Sequence, residues 1–156
     1  MGHCSQIVSQ RKRKNSVMVQ LNKKVSVAIS NIIDINDKIR ESLFNEPNID
    51  TVTDATASYK RHQALYVPLM RVFDELTFKD IISIEAVMIV GKNGLEYYNN
   101  GTMSDEEIYA EELCTLKSYE DNQENREAAI CYMTEKTFVL SDYLHNGVQI
   151  LNIDLN

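Results

Sequence analysis

The chain has no tryptophan, and only two prolines, five glycines and three cysteines among 156 residues. Each shortage excludes something. Three cysteines cannot all close into intramolecular disulfides, and Cys4, Cys114 and Cys131 are too far apart to frame a zinc site. The pattern predicts a reducing, cytoplasmic compartment. So few glycines and prolines argue against a long βαβ enzyme, whose repeated turns and phosphate loops need them. Gly91-Lys92-Asn93-Gly94 is too short for a phosphate cradle. No run reaches the roughly 18 apolar residues of a membrane span, and the first twenty residues lack the apolar centre of a secretory signal.

What is present is ordinary for one globular domain: 44% apolar and 25% charged residues. A chain of this length buries roughly two-thirds of its unfolded surface, enough for a core without covalent staples. The net charge of −7 is unevenly spread, with eight Lys and Arg against two Asp in residues 1–40 and an acidic remainder. An acidic body makes a nucleic-acid partner improbable on electrostatic grounds. Residues 1–16 read as a flexible basic arm, and residues 17–156 as a single domain. The arm carries Gly2 and Cys4, two acylation residue types, and the basic run Arg11-Lys12-Arg13-Lys14. It offers the one conceivable membrane attachment, at an inner membrane face through residues 2–14. Gln6 stands where the acylation motif asks for Ser or Thr.

Hydrophobic spacing supplies the expected elements. Leu21, Val25, Ala28, Ile32, Ile35, Ile39 and Leu43 recur at three- and four-residue steps and predict a helix over about 21–44. A second helical segment, capped at Asp54 and bent or broken near Pro68, is expected over 55–78. The dense apolar run Ile81–Val90, the Gly91–Gly94 turn and Leu95–Tyr98 predict a hairpin, since Asn-Gly favours tight hairpin turns. Ser104 and Glu107 form a capping box that opens a helix to about 120. Strands are expected over 128–142, with a turn at Asn146-Gly147 and a last strand over Val148–Leu155. The predicted fold is α+β: a helical part over 21–78, then a small, mostly antiparallel sheet over 81–155 with helices on one face. The alternative is a mostly helical domain with one or two hairpins. In topology, residues 85–98 resemble the opening hairpin of PAS, GAF and roadblock/longin-type domains, which implies a small sensor or scaffold module.

No motif implies a cofactor, a metal or a catalytic residue. Asp142 and His145 stand three apart and could share a site, but two ligands do not make a metal centre. Cys114 lies among acids on the flank of a helix and Cys131 in an expected core strand, so both read as buried, inert thiols. The leading functional reading is a non-enzymatic regulatory domain. It self-associates or binds a protein partner through the stripe Leu21, Val25, Ile32, Ile35, Ile39 and Leu43. The alternative is a small-molecule sensor with a pocket lined by Tyr97, Tyr109, Tyr132 and Tyr143. An enzyme with a site near Asp142 and His145 ranks third.

Overall fold

The computed structural model describes residues 19–45, 52–96 and 103–156. These form six helices: α1 (Lys23–Phe44), α2 (Val52–Asp74), α3 (Phe78–Glu96), α4 (Asp105–Lys117), α5 (Gln123–Thr134) and α6 (Leu140–Ile150). No β-strand occurs among the described residues, so the α+β expectation, and with it the sheet over 81–155, is corrected to an all-helical bundle. The hairpin-like resemblance of 85–98 falls with it, because α3 runs unbroken from Phe78 to Glu96 through both glycines. No described helix is long and apolar enough to cross a membrane. The acylation residues and basic run of the arm lie outside the described residues.

The two helices expected from clear signals form where those signals stand. The Asn22 side chain accepts from the Val25 amide at 2.8 Å and opens α1. Ser104 Oγ accepts from the Glu107 amide at 3.1 Å and opens α4. A further reciprocal box opens α3. The Thr77 amide donates to Asp80 Oδ2 at 3.2 Å, and the Asp80 amide donates to Thr77 Oγ1 at 3.1 Å. Burial alone would raise the Asp80 carboxyl. The Thr77 backbone bond, the side-chain bonds from Asn22 and Thr77, and the Lys24 charge outweigh it and hold the pKa below its ordinary value. At its other end the chain closes α6 with a left-handed Asn152 (φ 54°). Ile153 N–H donates to Val148 O and Asn152 N–H to Gln149 O, the paired bonds of a Schellman stop.

Helix α3 sits at the centre, packed by α6, α4, α5 and α1. Ile81, Ile84, Ala86, Val87, Met88 and Val90 are all buried, so the helix buries apolar side chains around most of its circumference. That explains the misreading of this stretch: a helix buried on most sides has little amphipathic period, and a short apolar run looks like a buried strand. The glycines have a different role from turning. A Cβ on Gly91 would lie 1.7 Å from the Tyr143 carbonyl oxygen, and one on Gly147 would lie 2.2 Å from the Val87 carbonyl oxygen. The missing side chains let the α3 and α6 backbones interlock, each glycine facing a carbonyl four residues before the other glycine. Asn146 Nδ2 adds a 2.9 Å bond to the Gly91 carbonyl. The expected turn at Asn146-Gly147 is thus the middle of α6, and the strands expected over 128–142 are α5 and the turn that follows it.

On its other side, α6 is fastened to α1 by a buried polar cluster. Asn36 Nδ2 donates to the Thr137 carbonyl and to Ser141 Oγ, both at 2.9 Å, and Ser141 Oγ donates to the Ile33 carbonyl at 3.3 Å. The Tyr66 hydroxyl of α2 bonds Thr137 Oγ1. Truncating Asn36 strands the Thr137 carbonyl inside the core. Asn36→Ala should therefore cost about 2 kcal/mol, whereas Ser141→Ala should cost under about 1 kcal/mol because Asn36 keeps its bond to the carbonyl. Urea unfolding of the two variants checks this; equal stability of Asn36→Ala and the parent would sink it.

Candidate functional site

A cavity of about 370 Å³ opens between α3, α4 and α5. Helix α3 contributes Phe78, Ile82, Glu85 and Ile89, which share one face at steps of four, three and four residues. Leu116 and Tyr119 close it from the end of α4, and Asn125, Ala128, Ala129 and Tyr132 from α5. The α5 set repeats the same helical spacing, so two facing stripes meet across a gap that their side chains do not fill. The Asn122 side chain fixes where α5 begins, accepting from the Asn125 amide at 2.8 Å. Arg126 ties the same helix to α2, with Nη2 donating to the Phe73 carbonyl at 2.7 Å.

One carboxyl interrupts these apolar walls. Glu85 is 5% exposed and makes no hydrogen bond to a described residue. Burial is the main cause that pushes its pKa up, to about 7; the Glu112 charge on α4 raises it further and Lys136 after α5 lowers it. At neutral pH the cavity therefore holds a carboxyl close to half ionised. Lys136 Nζ lies 3.8 Å above the Tyr132 ring, against the wall of the cavity. A smaller gap of about 230 Å³ between α1 and α2 has Lys23, Lys24 and Glu75 on its rim and no buried charge.

The residues singled out in the sequence are scattered by comparison. Val25, Ile32 and Ile39 are buried within the chain's own core, and Leu21, Ile35 and Leu43 pack partly buried against it. The stripe expected to meet a partner is covered by α2, α6 and α3. Of the four tyrosines expected at a pocket, Tyr132 lines the cavity and Tyr97 lies outside the described residues. Tyr109 is buried on α4, its hydroxyl pushed up by burial and partly offset by a bond with Ser83 on α3. Tyr143 is buried where α6 crosses α3. Asp142 and His145 are both exposed on α6; Asp142 meets Arg40 at 3.4 Å and His145 meets Gln149 at 3.5 Å. No group of three metal-ligating side chains converges among the described residues.

Both described thiols differ from expectation. Cys114 and Cys131 are exposed on helices, not buried. Cys131 Sγ donates to Glu135 Oε1 at 3.2 Å, and that bond, with the carboxylate's charge, pushes the thiol pKa up and away from thiolate reactivity.

Of the residues that line the cavity the sequence reading assigned only Tyr132 to a pocket, and Glu85 is the most consequential of those it did not. For Glu85 the signal was present: it is the one charge in the run Ile81–Val90. A charged residue inside an apolar element is more informative than the apolar residues around it. No protein-family model, curated protein or solved structure matches this chain.

Proposed function

We propose that this chain is a small-molecule-binding domain of the sensor type, with its ligand seated between α3, α4 and α5. The observation that carries the reading is a cavity of about 370 Å³ with apolar walls and one buried carboxyl that makes no hydrogen bond to a described residue. Ligand sites combine this sort of apolar lining with a few polar groups that fix orientation, and about 300–1,000 Å³ is their usual size.

Nile red, a neutral apolar dye, provides the test on the full chain. Its fluorescence should rise with one-to-one saturation. Ala128 is exposed at the mouth of the cavity, so Ala128→Trp should plug the site while leaving the helical circular dichroism unchanged. Loss of dye binding in that folded variant supports the reading. Dye binding that persists in Ala128→Trp, or that never saturates in the parent, overturns it.

Association of two copies is the second reading, and it moves to a different surface. Phe44 and Phe138 are 72% and 53% exposed and meet edge-to-face with ring centres 5.6 Å apart. A solution mass that doubles in the parent and returns to one chain in Phe44→Ser/Phe138→Ser would support it; a monomer at high concentration would refute it.

A further inference from the structure

We infer that the cavity between α3, α4 and α5 takes an organic monocation, an amine whose apolar body fills the space and whose ammonium group meets Glu85. The inference rests on the binding reading above and specifies the ligand's chemistry. Glu85 supplies an acceptor with no hydrogen-bond partner among the described residues, set within apolar walls. A buried carboxylate in that setting is most strongly satisfied by a cationic donor. Phe78, Tyr119 and Tyr132 line the same cavity, and Lys136 Nζ lies 3.8 Å from the Tyr132 centroid. Aromatic walls of this type attract cations.

Charge balance fixes the sign and the number. The charged groups acting on Glu85 are Glu112 from α4 and Lys136 from the turn after α5. Their formal charges cancel, with Glu112 acting on Glu85 the more strongly, so ionised Glu85 leaves one unit of negative charge for the ligand to neutralise. An anionic ligand would meet that charge unfavourably. The whole chain carries −7, a field that concentrates cations and repels anions.

The test compares three probes of one shape on the full chain by calorimetry: 2-phenylethylamine, 2-phenylethanol and phenylacetate. The amine should bind at least about tenfold tighter than the alcohol at pH 8, and phenylacetate should bind weakest. Glu85 ionises near pH 7, so amine affinity should rise about tenfold from pH 6 to pH 8. Glu85→Gln should abolish both the amine preference and the pH dependence while retaining the alcohol. Alcohol or phenylacetate binding as tightly as the amine, with the Nile red site intact, overturns the monocation assignment alone. Failure of all three probes together with Nile red overturns the binding reading itself. An amine preference that survives Glu85→Gln overturns the role of Glu85.

Discussion

Gly91→Ala should lower the stability of this protein by about 3 kcal/mol, and Gly94→Ala, three residues along the same helix, should leave it unchanged or slightly raised. By helix propensity alone the two changes are alike, each favouring the helix by about 1 kcal/mol. They differ in what a Cβ would meet. At Gly91 it would stand 1.7 Å from a backbone oxygen of α6, and 2.7 Å from the Gly147 amide nitrogen. Neither atom can yield without shifting a helix, and overpacking of this kind costs about 1–3 kcal/mol or more. At Gly94 the nearest atom, 2.4 Å away, is the terminal methyl of Ile150, which can rotate aside. For a domain of this length the Gly91 change should bring the melting temperature down by about 6–12 °C. Thermal and urea unfolding of the two variants provide the measurement. Equal effects at the two positions would show that the helices do not cross on Gly91.

Glu85→Gln should stabilise the protein at pH 8 by about 2 kcal/mol and destabilise it at pH 5 by about 0.5 kcal/mol. The direction follows from linkage. The folded-state pKa is raised from 4.5 to about 7, so between those values the folded chain retains a proton that the unfolded chain releases. Stability contributed by the protonated carboxyl is fully present below about pH 4.5. It is lost as pH rises towards 7 and then levels off. The full shift corresponds to about 3 kcal/mol. A glutamine keeps the shape and cannot ionise, but its amide remains without a good partner, which lowers the expected gain. Melting curves of parent and variant across pH 5–8 test this. A constant difference between them would mean that Glu85 titrates as it would in water. Asp80 acts in the opposite sense, because its folded pKa is depressed: its contribution is present above the ordinary carboxylate range and is lost as pH falls through the folded value.

The legible parts of this sequence were those where local chemistry and tertiary packing agree. Helix α1 has one apolar face because only one face is buried, so Val25, Ile32 and Ile39 announced the element, although their stripe was read as a partner surface and faces the chain's own core. Helix α4 was announced by Ser104 and Glu107, whose capping bond is local. Helices α3 and α6 were hidden because their distinguishing feature is mutual. Gly91 and Gly147 look like turn residues until the opposing carbonyl is known, and that carbonyl lies more than fifty residues away in sequence. The same limit applies to the cavity. Tyr132 was picked out by residue type, yet the stripe of Phe78, Ile82, Glu85 and Ile89 facing it becomes visible only once α3 is a helix. An error in secondary structure therefore became an error about the site.

The interlocked crossing divides the molecule mechanically. Helix α3 forms one wall of the cavity and is held to α6 at backbone distance, with α6 held to α1 through Asn36 and Ser141. That half behaves as an anvil: displacement of α3 towards α6 would drive the Tyr143 and Val87 carbonyls into the glycines they face. The opposite walls, α4 and α5, rest on α3 through side chains, which can change rotamer and slide. If the cavity is filled as proposed, the expected response is a change in the seating of α4 and α5, displayed on their solvent-facing surfaces.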